Sequence, residues 1–389
     1  MSWRLLALAL LCALLAALWL GGCDTDRKAD LDAGFAGLGE AAGDFAQARP
    51  GTPLHFPDDH GPHPDYRIEW WYLTANLEDE AGESLGAQWT LFRQALVPPD
   101  VRPKPTPWAA DQLWMAHLAV SQGGTHRVAE RFARSHSARG DGQAGVRSSP
   151  FRAWLDDWEL RARSETPQAD GFERLTLTAH QDDERGGFGY DLTLTAEGPL
   201  VLHGDGGFSQ KAAGGQGSIS SGSMYYSQPF WRVDGEMTLD GETRTVHGRA
   251  WLDREWSSQL LNERQQGWDW FSLHLDDGHK LMAFQLRGGG EAGSDYRSGT
   301  WVAADGTTTP LAPDALALTP LATAKVEGRE LPTRWRIEIP AQGVDVVVQA
   351  PHSQRWMSTS VPYWEGEVTV TDRESGEALG EGYLEMTGY

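Results

Sequence analysis

Residues 66–96 read YRIEWWYLTANLEDEAGESLGAQWTLFRQAL. Large apolar side chains alternate with polar ones up to Leu77, stop at the turn-forming run EDEAGESLG, and resume in AQWTLFRQAL. Alternation with a period of two is the mark of a strand, and two such runs around a Gly-containing break predict a β-hairpin. The same pattern recurs as ERLTLTAH, YDLTLTAEG, EMTLDG, TVHGRAWLD, FSLHLDDGHKLMAFQLRG, RWRIEIP, VDVVVQAP and YWEGEVTVTD. In the last of these Trp364, Gly366, Val368 and Val370 share one face, and Glu365, Glu367, Thr369 and Thr371 the other. Only residues 109–120 and 254–264 offer short helical patterns. The chain is expected to be all-β with few short helices.

The hairpin has an echo. Glu69, Trp71, Tyr72 and a terminal Arg93 match Asp269, Trp270, Phe271 and Arg287 in DWFSLHLDDGHKLMAFQLR. Repetition at this distance favours two β-barrel or sandwich domains packed in tandem, 51–232 and 233–389.

The start of the chain, MSWRLLALALLCALLAALWLGGC, has one basic residue, an apolar run and small residues before Cys23. It reads as a secretory signal over 1–22, the alternative being an uncleaved anchor helix. The ending resembles a lipobox, which implies lipid attachment at Cys23 and a membrane anchor that does not span the bilayer. Asp24 resembles an inner-membrane retention signal. The expected location is therefore periplasmic, lipid-anchored, with 23–50 as a flexible Ala-, Gly- and Asp-rich tether. Cys12 leaves with the signal, so the mature chain has no internal disulfide. Its 32 basic residues against 55 acidic ones argue against a nucleic-acid partner.

Sixteen tryptophans survive processing. Most are expected in the core, but aromatic rings also line pockets for apolar ligands. The candidates for a hydrophobic small molecule are Trp70, Trp71, Trp251, Trp256, Trp268, Trp270, Tyr225, Tyr226 and His117. The sharpest chemical candidate is Asp253, in WLDREW between Trp251 and Trp256. It is either a proton donor or the ionised partner of an arginine such as Arg67, Arg93 or Arg287; Arg254 points to the other face of a strand. His55, His60 and His63 with Asp58 and Asp59 have tolerable metal-ligand spacing, but sit in a Pro- and Gly-rich loop, so no metal is expected. Nothing suggests another cofactor: GGQGSISSG lacks a strand-to-helix context, and no Gly-x-Ser-x-Gly elbow supplies a nucleophile.

HFPDDHGPHPDYRIEWWYLTANL, MAHLAV, SMYYSQP, WLDREWSSQ, GWDWFSLHLDDG and GEGYLEMTGY together resemble the lipocalin-like AttH family. That family is related to bacterial carotenoid 1,2-hydratases and often labelled secreted hydrolase. The resemblance runs from about His55 to Tyr389 and implies two lipocalin-like β-domains. It also implies an ABC transporter permease as a possible partner, since bacterial members often accompany such exporters. In the hydratases the proton donor resembles an aspartate at this motif, matching Asp253. Their neighbouring tyrosine pattern is replaced by Trp251, and ungapped spacing puts their assisting histidine and tryptophan at Met224 and Tyr226. Adding water to an unactivated double bond needs a carboxylic acid kept protonated near neutral pH by burial, and aromatic faces to stabilise the cation. The sequence therefore supports two functions. One is an anchored periplasmic lipoprotein that binds an apolar or amphipathic ligand beside an ABC exporter. The other is an enzyme acting on a polyene or isoprenoid, with Asp253 as acid.

Overall fold

The hairpin read from 66–96 is present as strands Ile68–Asp79 and Ser84–Ala95, paired from Ile68↔Gln94 to Glu78↔Ser84. Its turn places Gly82 at φ 79°, where a side chain would be strained. In this computed structural model the described residues are 44–101, 110–135, 137, 142–163, 171–213, 221–259, 261, 265–288 and 294–389. The signal, Cys23, Asp24 and most of the tether lie outside them.

Among the described residues, thirteen strands form a first antiparallel sheet. Its order begins Thr125–Ser135, Gln112–Gln122, Ser84–Ala95, Ile68–Asp79, Glu242–Ser257, Gly222–Leu239. It continues through Phe188–Ala196, Arg174–Gln181, Trp158–Ala162 and Phe151–Leu155 to Ala144–Ser148. Ten strands form the second, beginning Thr308–Leu311, Tyr296–Val302, Lys280–Arg287, Gly267–Leu275, Ala378–Met386 and Tyr363–Asp372. Val344–Gln349, Arg329–Ile339 and Ala317–Val326 complete its main path. Both curl toward closure, giving two lipocalin-like near-barrels packed together.

Each sheet encloses its own core, the first around Trp71, Leu73, Trp89, Trp114 and Trp158, the second around Phe271, Trp335, Ile337 and Trp364. A third cluster, including Tyr72, Tyr225, Trp251, Trp270, Phe284 and Tyr383, draws from both sheets. Strand Ile68–Asp79 is consequently dry on both faces: Trp71, Leu73, Ala75 and Leu77 serve the first core, while Trp70 and Tyr72 meet the second sheet. Burial of both faces is unusual for an antiparallel strand and follows from one sheet lying on the other. Gly86 permits that approach, since a Cβ there would collide with the Tyr383 hydroxyl and Ser121.

The protein departs from two expectations. Residues 112–122 form a strand, as do 242–257, so the helical patterns at 109–120 and at the start of 254–264 give way to pairing with neighbours. QLWMAHLAVSQ satisfies both periods, and long-range pairing decides between them. The named helical segments, Asp58–His60, Pro99–Val101 and Pro340–Gln342, are single 3-10 turns. The sheets also change over between Ser257 and Gly267, so strands on either side of the 232/233 division share the first sheet.

Candidate active site

Residues paired across an antiparallel sheet project from the same face. The register Ser227↔Asp253↔Tyr72↔Thr90↔His117↔Glu130 therefore draws one polar row across six strands. The second sheet contributes the row Phe284↔Trp270↔Glu385↔Glu365. Hydrogen bonds join the sheets. Tyr72 donates to Glu365, Trp270 Nε1 donates to Tyr225 Oη at 3.0 Å, and His203 Nδ1 lies 2.9 Å from Thr300 Oγ1. Near these bridges lies a cavity of about 250 Å³, lined by both sheets.

Asp253 is on the cavity wall, and its side chain is buried. Tyr225 Oη donates to Oδ2 at 2.6 Å, Trp251 Nε1 to Oδ1 at 2.6 Å, and Ser227 Oγ to Oδ1. Ser227 is held in turn by His203 Nε2 at 2.6 Å. None of these partners is a cation. Arg93 and Arg287, which could have claimed Asp253, are engaged elsewhere. Arg93 and Arg254 both grip Glu69, and Arg287 holds Asp269 at 2.9 Å. Arg67 offers its backbone N–H to Ser258. Burial consequently raises the Asp253 pKa to about 7, against the opposing pull of the three hydrogen bonds and with help from nearby Glu255.

Asp253 is one of several acids here. Burial lifts Glu385 to about 8 despite the hydrogen bond from Trp268 Nε1 at 2.5 Å, and the charges of Asp253 and Glu255 add to the rise. Burial, then Glu385, also pushes Glu365 well above the usual carboxylate range. Glu255 instead pairs with buried Lys211 at 2.8 Å. The site thus combines one neutralised ion pair with acids that resist ionising.

Of the sequence candidates, Trp70, Trp268, Trp270, Tyr225 and His117 line the cavity, and Trp251 supports Asp253. Trp71, Trp256 and Tyr226 do not: they belong to the first-sheet core. The reason is parity, since Trp256 lies an odd step from Asp253 while Trp251 lies two residues away. Met224, placed by ungapped spacing beside the acid, shares that core with Tyr226, whereas Tyr225 and Ser227 make the contacts. Trp71 and Trp256 instead receive the Arg254 guanidinium, 3.9 and 4.9 Å from their rings. The hairpin echo is only approximate: Arg93 faces buried Glu69 directly across its hairpin, whereas Arg287 reaches Asp269 from two residues along, opposite Gly267, and is partly exposed.

The loop histidines are also used. His60 Nδ1 meets Tyr226 Oη at 2.6 Å, and its ring stacks on Phe172. His63 stacks on Trp256 and pairs with Asp59 at 3.1 Å. Among the described residues no group of three His, Cys, Asp or Glu is arranged to hold a metal. The sequence assigns no site role to Tyr72, His203, Tyr363, Glu365 or Glu385. Acidic and phenolic residues alternating with apolar ones were the available signal, but they read as a wet face until a second sheet covers them.

Two facing lipocalin-like near-barrels with a buried, uncompensated carboxyl between them define the class. The chain belongs to the AttH-like family, whose model matches residues 47–389. It is 34% identical to an AttH of Nitrosomonas europaea of known crystal structure, with a TM-score of 0.75 over 89% of this chain and 99% of that one. The fold is shared with kievitone hydratase from Nectria haematococca (16% identity, TM-score 0.61, 88% and 98% coverage). It is shared too with CghA, solved with Sch210972 (13%, 0.50, 90% and 97%). No curated protein matches the chain.

Proposed function

We propose that this protein is an acid–base enzyme of the hydratase type, acting on a double bond in an apolar or amphipathic substrate, with Asp253 as proton donor. The observation that carries the proposal is a buried carboxyl on a largely apolar cavity, bonded to Tyr225, Ser227 and Trp251 and to no cation. With a pKa of about 7, it holds a proton on a fair share of molecules near neutral pH. Transfer of that proton to an alkene carbon leaves a tertiary cation and the Asp253 carboxylate. The faces of nearby rings such as Trp270 and Tyr72 would stabilise the cation by roughly 1–2 kcal/mol each. Positioned proton donors contribute about 10²–10⁴-fold to rate. The family relationship and the hydratase fold-relative support this reading without fixing the substrate.

A second reading has its own support. Phe132 lines the cavity yet is 46% exposed, so an apolar mouth opens to solvent as a carrier would require. In that reading the protein is a periplasmic lipoprotein, anchored through Cys23 to the inner membrane, holding a hydrophobic ligand for an ABC exporter. Native mass spectrometry with lipid extraction, on protein from its own host and on Asp253→Asn, separates the two. An enzyme retains chemically different molecules in the two forms; a carrier retains the same one. Recovery of no small molecule from either form refutes both.

A further inference from the structure

Another part of the cavity wall carries an array that the acid does not use. Tyr363, His117 and Ser360 all line it. His117 Nδ1 lies 2.9 Å from Tyr363 Oη, and His117 Nε2 lies 3.1 Å from Glu130 Oε1. Burial tends to raise the Glu130 pKa, but hydrogen bonds from His117 and Ser360 bring it below the ordinary value, so Glu130 is ionised. Burial also keeps His117 neutral. A carboxylate only accepts, so the single His117 proton sits on Nε2 and Nδ1 accepts from the Tyr363 hydroxyl. The order hydroxyl, imidazole, carboxylate is that of nucleophile–base–orienting acid sites, with a phenol in the first place. Glu130, at 17% side-chain exposure, connects the array to solvent.

His117 stands three strands from Asp253 in the same row, on the order of 14 Å between backbones. Tyr363 approaches from the opposite sheet. Asp253 and Tyr363 thus face one cavity from opposite sheets, the arrangement an acid and a base need to act on a double bond and a water held between them.

We propose that Tyr363, backed by His117 and Glu130, is the base that takes the proton from the water attacking the substrate. This rests on Asp253 acting as the acid. Asp253 gives its proton to one alkene carbon, and water oxygen bonds to the cationic carbon. As the water loses a proton to Tyr363 Oη, the phenol's own proton moves to His117 Nδ1. The imidazolium, paired with Glu130, releases a proton toward solvent, and Asp253 takes one up. The net change is alkene plus water to alcohol. Only Tyr363 touches the reacting water; His117 and Glu130 are positioning residues acting through it.

The test uses geraniol, an isoprenoid alkene of cavity-compatible size, with farnesol and geranylgeraniol as longer probes, in D₂O and in H₂¹⁸O. A protonated alkene that is not captured by water loses a proton back to the Asp253 carboxylate and carries deuterium in the recovered alkene. Deuterium therefore reports the acid step, and ¹⁸O in the alcohol reports water capture. Wild type should show both, and Asp253→Asn neither. Tyr363→Phe and His117→Gln should keep deuterium uptake within about threefold while ¹⁸O product falls about 100-fold or more. Glu130→Gln should lower ¹⁸O product with deuterium unchanged and shift the pH profile of capture. Should one buried variant not fold, the solvent-contacting Glu130→Gln gives the same split. Full ¹⁸O incorporation by Tyr363→Phe, with Asp253→Asn inactive, overturns the base and leaves the acid standing. Equal loss of both labels in the folded array variants means a structural role and also overturns it. Absence of both labels from wild type with all three probes overturns the acid and the base together.

Discussion

Asp253→Asn should make the protein more stable above neutral pH, because the amide copies the protonated acid without having a charge to desolvate. Its Oδ1 keeps the bonds from Ser227 and Trp251, and its N–H group faces Tyr225 Oη where Oδ2 stood. The folded pKa of about 7 lies above the ordinary 3.8. Between those values the folded wild type keeps a proton that the unfolded chain has released, so its stability falls as pH rises. The full contribution is present below pH 4 and is lost by about pH 8. At about 1.4 kcal/mol per pH unit, the loss amounts to about 4 kcal/mol. The variant lacks this term. Urea unfolding of both proteins from pH 4.5 to 8.5, followed by tryptophan fluorescence, should show their stability difference moving toward the variant by about 3 kcal/mol, the share of that loss above pH 4.5, and then levelling. Glu385, whose rise depends partly on the Asp253 charge, sharpens the gap at the alkaline end. A difference that stays constant across the range means that Asp253 is ionised in the folded protein at neutral pH. Such a group could not serve as the donor, and the proposed acid chemistry would fall with it.

Other perturbations probe the frame. Arg93→Met leaves buried Glu69 with half of its compensation and should cost about 3–5 kcal/mol in unfolding free energy. The corresponding Arg287→Met should cost distinctly less, because that arginine is 18% exposed; equal losses would deny the contrast in burial. Glu385→Gln removes an acid that burial and the Asp253 charge raise to about 8, so the stability lost as pH rises to 8.5 should be smaller in the same urea series. An unchanged loss would mean that Glu385 is already ionised in the folded protein at neutral pH. Met115→Trp puts an indole into the cavity and should abolish retention of ligand in native mass spectrometry, while the unfolding transition stays cooperative. Undiminished retention would locate the ligand elsewhere.

Period-two alternation made the strands of this protein legible, because it is a local property of consecutive residues. It also sets Arg254 on the face opposite Asp253, where Glu69 holds it. What covers a face is not local. Glu365, Glu367, Thr369 and Thr371 form one set by alternation, yet Glu365 is buried while Thr369 is exposed, since only part of that face lies beneath the first sheet. Register is equally remote from any window of sequence. Asp253, Tyr72, Thr90, His117 and Glu130 share no motif, and become one row only when five strands from 68 to 257 align. The helical reading of 109–120 failed for the same reason, its apolar residues fitting either period until Ser84–Ala95 and Thr125–Ser135 paired with it. An ordinary antiparallel sheet keeps such acids and phenols on its wet side. Covering them costs free energy unless each finds a hydrogen bond or remains neutral, which is the state of Tyr72, Glu365, Glu385 and Asp253 between these sheets. A sheet interface serving only cohesion would carry Leu and Val in those places. Acids at several of them, around a space large enough for a ligand, mark the candidate site more firmly than the tryptophans do.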